Sequence, residues 1–88
     1  MENQKSTLPT NDKDYAPLLL ACSYNSLVAF VGETVQGSLV IWEFSPRFVA
    51  KELISKYELK VPLGIPEKDL ADAKDFFWRR VNEVRSGK

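Results

Sequence analysis

The chain has 88 residues, with 12 basic and 12 acidic side chains and a net charge of zero; 44% of it is hydrophobic and 27% charged. That size and composition fit one folded domain with a modest core, and exclude a disordered or multidomain chain. The neutral balance also lacks the basic surplus that a nonspecific phosphate binder carries.

Cys22 is the sole cysteine, so no intramolecular disulfide can form and a reducing compartment fits. Histidine is absent, which removes the commonest neutral-pH general base and the commonest metal ligand. The start, Met1 to Thr7, lacks the apolar core of a signal peptide, and no run approaches the ~18–20 apolar residues that span a bilayer. A cytoplasmic protein without membrane contact is expected.

Residues 1–11 read as a flexible tail that ends in an extended piece at Leu8-Pro9-Thr10. Residues 12–85 read as a single α+β domain, and residues 86–88 as a frayed end. The first helix starts after Asp14, because that N-cap puts Pro17 at the third helical position, where a missing N–H is harmless. Asp12 then favours the same end through the helix dipole. Tyr15, Leu18, Leu19 and Cys22 form its apolar face, and Asn25 is the expected left-handed stop.

Leu27 to Phe44 holds two runs rich in β-branched and aromatic residues around a glycine-containing polar segment, the pattern of a β-hairpin. A connection at Glu33 to Gly37 puts Val28, Phe30, Val40, Trp42 and Phe44 on one face and Leu27, Ala29, Val31, Leu39, Ile41 and Glu43 on the other. A tight turn at Gln36-Gly37 is the alternative register, and in both registers both faces are mainly apolar. A hairpin wet on one side alternates apolar with polar. Either helices cover both faces here, or one face meets a partner.

Ser45-Pro46 predicts a helix start, with serine as cap and proline at the first helical position. Phe48, Val49, Leu53, Ile54 and Tyr57 follow at helical spacing. Glu58 to Pro62 alternates and is a candidate short third strand at a sheet edge. Pro66 opens the last and longest helix, whose stripe of Leu70, Ala73, Phe77, Val81 and Val84 is that of a core-facing helix.

No set of residues amounts to a reaction. The pairs Asp12/Asp14 and Asp69/Asp72 sit at helix starts, where acids are expected for capping and dipole reasons, so they are read as structural rather than metal-binding. Cys22 has no histidine to activate it and reads as a small core residue. Thr34 to Ser38 lacks the glycine–lysine spacing of a phosphate loop. Neither a catalytic centre nor a cofactor nor a metal is expected. The most suggestive cluster is Phe76-Phe77-Trp78-Arg79-Arg80. Aromatic residues beside arginines serve protein interfaces and also stack and bind nucleic acid. Trp42, Phe76 and Trp78 are the candidate interface residues, and Arg79, Arg80 and Arg85 the candidate nucleic-acid contacts.

The motif order resembles a family of small uncharacterised domains of bacteria and their phages. The matching residues are Thr10, Asp12, Ala16 and Leu19 at the first helix, Tyr24-Asn25 at the following turn, Leu39 to Pro46 running from strand into helix, and Val61-Pro62 through Ile65-Pro66 before the last helix. The chain departs from the family pattern at Pro17 and in the order of Glu43-Phe44. The resemblance implies an architecture and a bacterial or mobile-element origin, and brings no activity.

The expected fold is therefore α+β: a short N-terminal helix, an antiparallel β-hairpin with a candidate third strand, a helix, and a long C-terminal helix. The expected function is a non-enzymatic interaction module, a homodimer or a subunit of an assembly. The alternative is a small accessory nucleic-acid-binding protein of a phage or plasmid.

Overall fold

A computed structural model describes residues 7–86. The expected frayed end at 87–88, and the tail as far as residue 6, lie outside the described residues. The elements are β1 (Leu8–Thr10), α1 (Tyr15–Tyr24), β2 (Ala29–Gln36), β3 (Leu39–Ser45), α2 (Arg47–Glu58) and α3 (Glu67–Arg85). The fold is α+β: a three-stranded antiparallel sheet in the order β1-β3-β2, with the three helices packed on the side that carries Val40, Trp42 and Phe44.

The third strand is not the one expected. It comes from the N-terminal segment read as tail: Leu8, Pro9 and Thr10 pair with Phe44, Glu43 and Trp42. Pro9 is tolerated there because β1 is an edge strand. The alternating stretch after Glu58 instead terminates α2. Lys60 adopts a left-handed φ of 63°, and the Lys60 and Val61 N–H groups donate to the Tyr57 and Lys56 carbonyls at 3.0 and 2.8 Å. This Schellman cap uses the N–H groups that a strand would need.

β2 and β3 join through a two-residue turn at Gly37-Ser38, with Gln36 opposite Leu39. Neither expected connection has these bounds. Gly37 takes φ 63°, which suits a residue without Cβ. A bulge at Val31 separates the pairs Phe30–Phe44 and Gly32–Glu43. One extra residue reverses the alternation of β2. Phe30 lies on the helix-covered side before the bulge, and Glu33 and Val35 lie there after it, opposite Trp42 and Val40. Thr34 and Gln36 are thereby turned to the other side.

α1 is buried along Ala16–Cys22, not on one face only. It contacts α2, α3 and β2. A helix that is apolar all round belongs in a core. Pro17 is at its third position, as expected, but Asp14 does not cap with its side chain. Asp14 already has helical dihedrals, and the Asp12 carboxylate accepts the Asp14 and Tyr15 N–H groups at 2.7 and 3.0 Å. At the other end Ser26, not Asn25, is left-handed, at φ 62°. The Ser26 and Leu27 N–H groups close a second Schellman cap on Ser23 and Cys22.

Pro46 is the N-cap of α2 rather than its first helical residue, because Ser45 still pairs with Ala29 as the last residue of β3. α2 buries Ala50 and Leu53 and half-buries Val49 and Ile54, while Phe48 is 70% exposed. Phe48 stands two residues before Ala50, about 200° away around the helix, so both cannot face the sheet. The α3 stripe behaves as its spacing predicts, with Ala73, Phe77 and Val81 buried and Leu70 and Val84 packed beside them.

Candidate functional site

Trp42 was expected at an interface, and the structure puts it in the core. It has no exposed surface. It sits on the central strand under α3, with ring centroids of Phe76, Phe77 and Phe30 at 5.6, 5.7 and 5.9 Å. Its indole Nε1 has no hydrogen-bond partner among the described residues. A parity argument places Trp42 correctly on one face of the hairpin, but parity does not say which face the helices cover.

Phe76 and Trp78 are both surface residues, 42% and 39% exposed, yet they do not form one patch. Two residues along a helix turn about 200°, so they flank Phe77 on opposite sides. Phe76 lies edge-on to Trp42, which itself packs against the 37% exposed Phe30 of β2. Trp78 lies edge-on to Phe77 at 5.2 Å and opens on a cleft between α3 and the hairpin turn.

The three arginines do not converge either. Arg79 pairs with Asp75 one turn back. Arg80 pairs with Glu33 on β2 and with Glu83 at 3.1 Å, and these carboxylates push its pKa up. Arg85 stands beside Trp78 at the cleft. Two of the three cations thus already face carboxylates, which offers a phosphate backbone little free charge. Arg80 instead ties α3 to the edge strand.

The acid pairs have structural partners. Asp12 caps α1, Asp69 accepts the Asn25 amide at 3.0 Å, and Asp72 meets Lys68 at 3.6 Å. Among the described residues no group of three or more Cys, Asp or Glu is placed to hold a metal ion. Burial pushes the Cys22 thiol up to about 11.

What the described residues leave open is the far side of the sheet and its β2 edge. Val40, Trp42 and Phe44 point to the helices and are 0–3% exposed. On the other side Leu39 is 49% exposed, and Ile41, Glu43 and Ser45 are half-buried. Thr34, Gln36 and Pro9 are exposed on that same side. This face is more polar than the sequence suggested, because the bulge sends Thr34 and Gln36 to it. Among the described residues β2 pairs only with β3, and along it Val31 and Val35 are 56% and 44% exposed. Among the described residues no helix is long and apolar enough to cross a membrane.

No family model, no curated protein and no solved structure matches the chain.

Proposed function

We propose that the protein is a non-enzymatic interaction module that pairs with a second copy of itself through the helix-free side of the sheet and the adjoining β2 edge. The reading rests on one observation: all three helices lie on the same side of the sheet. Among the described residues, Ile41 and Leu39 on the central strand are therefore left without a covering layer, beside the β2 edge, which carries the 56% exposed Val31. An edge strand offers a row of backbone donors and acceptors that a second β2 satisfies when the two run antiparallel. Apolar side chains beside that edge add burial to the backbone pairing. A cytoplasmic setting and a bacterial or phage origin belong to this reading, the latter on the order of motifs alone.

Light scattering behind size exclusion, from micromolar to millimolar protein, tests it. The expected mass moves from that of a 10.0 kDa chain to twice that value as concentration rises. Ile41→Lys, on the open face, holds the chain monomeric with an unchanged far-UV circular dichroism spectrum. A wild-type chain that stays monomeric across the whole range overturns the proposal.

A further inference from the structure

We propose that the cleft between α3 and the hairpin turn binds a small flat aromatic molecule that carries one carboxylate or phosphate. This site shares Leu39 with the association surface above, but its cations and stacking ring, Arg85, Lys13 and Trp78, lie outside that surface, so it does not depend on dimerisation. The cleft holds about 240 Å³. Ligand pockets commonly hold ~300–1,000 Å³, so this one suits one or two fused rings with a single anionic group.

Its floor is apolar, from Val40, Phe77 and Val81. Trp78 and Arg85 line one bank. They are seven residues apart on α3, which is about two helical turns, so they share a flank with their Cα atoms ~10 Å apart. An indole face and a guanidinium at that spacing match a ring and the anion at its end. Trp78 packs edge-on against Phe77, a contact that favours this orientation of its ring. Lys13, from the link between β1 and α1, lines the cleft as a second cation. Its ammonium lies 3.6 Å from Asp14 with both side chains mostly exposed, a pair loose enough for an incoming anion to compete with. The other acids of the α3 C-terminal half do not oppose this charge. Glu83 is bound to Arg80 on the Glu33 side of the helix, and Asp75 to Arg79. The cleft thus combines an apolar floor, a stacking ring and two cations, contributed by three separate parts of the chain.

The experiment is a titration of the full ¹⁵N-labelled chain, followed by the indole N–H signals of Trp78 and Trp42. The probes are 2-naphthoate and AMP, with 2-naphthamide and adenosine as their uncharged counterparts. The expected result is a saturable shift of the Trp78 indole with at least one anion, while the buried Trp42 indole moves little. Loss of one charge-assisted contact weakens binding about tenfold, which is the effect expected for the uncharged counterpart and for Arg85→Gln. Trp78→Leu abolishes the saturable effect on the backbone amides of Ser38 and Leu39. Both substitutions are at exposed positions, and an unchanged amide spectrum elsewhere verifies the fold. Saturation by 2-naphthoate alone assigns a carboxylate ligand, by AMP alone a phosphate, and by both the shared anion chemistry. No saturable Trp78 shift with either anion overturns the proposal, as does equal affinity for charged and uncharged probes or undiminished binding by Arg85→Gln. Repeating the titration with Ile41→Lys separates this result from the oligomeric state.

Discussion

Three acids are held in their neutral form by the fold and so respond to alkali: Cys22, Tyr15, and Tyr24, which desolvation and the charges of Asp72 and Asp69 push up. Tyr15 donates its hydroxyl to the Glu58 carboxylate, and that bond, with desolvation and the nearby charge, pushes its pKa from 10.0 up to about 12. Burial raises Cys22 from 9.0 to about 11. A folded pKa above the unfolded one means the contribution is complete below the unfolded value and is lost as pH rises through the folded one. Stability should therefore be flat from pH 7 to 9, then fall across pH 9–11 for Cys22 and pH 10–12 for Tyr15. Urea unfolding against pH checks this: Cys22→Ala removes the lower part of the fall, and Tyr15→Phe reduces the upper part, to which Tyr24 also contributes. Trp42 carries a different tension, a large buried ring with an unpaired N–H. Truncation to alanine should cost about 3–5 kcal/mol. Trp42→Phe keeps most ring contacts and removes an orphan donor whose burial costs about 1–3 kcal/mol, so its loss should be about 1 kcal/mol or less. Equal losses for the two variants would contradict this account.

The helix ends show which local rules hold. α1 is capped from two residues further back than expected, so Asp12→Ala should destabilise by about 1 kcal/mol while Asp14→Ala changes little. Thermal unfolding of the two variants decides between the carboxylates. Both Schellman caps place a non-glycine residue in the left-handed region, Ser26 and Lys60. Lys60→Gly should raise stability by about 0.5–1 kcal/mol, because glycine takes that conformation without the Cβ penalty. The extents of α2 and α3 were legible because apolar residues recur at helical spacing and a proline marks each start. The burial of α1 on every side was not. Ala16, Leu20 and Ala21 carry no polar face to contradict a one-sided reading, and only its neighbours determine what covers them. The bulge at Val31 was equally hidden, since Val31-Gly32 fits a regular strand until the partner register is known.

At the scale of the whole molecule, the arrangement of layers decides what surface is available. Three helices on one side of three strands leave the opposite side without cover among the described residues. If that side mediates association, the melting temperature rises with protein concentration, because a dimer formed from folded chains draws the equilibrium away from the unfolded state. Calorimetric scans at several concentrations measure this, and Ile41→Lys should make the melting temperature independent of concentration. The candidate interface residues separated at this same scale. Trp42 went inside, and Phe76 and Trp78 went to opposite flanks of α3.

The sequence by itself determined the α+β class, the hairpin, the shared face of Val40, Trp42 and Phe44, and the core stripe of α3. Each follows from a local period or a local backbone preference, which neighbouring residues are enough to express. Tertiary structure alone decided the third strand, the register of the hairpin, the side on which the helices lie, and the meeting of Lys13 with Trp78 and Arg85 at one cleft. These depend on pairings between distant segments. Leu8–Thr10 is a strand because Trp42–Phe44 offers it an edge, and no period within three residues encodes that partner.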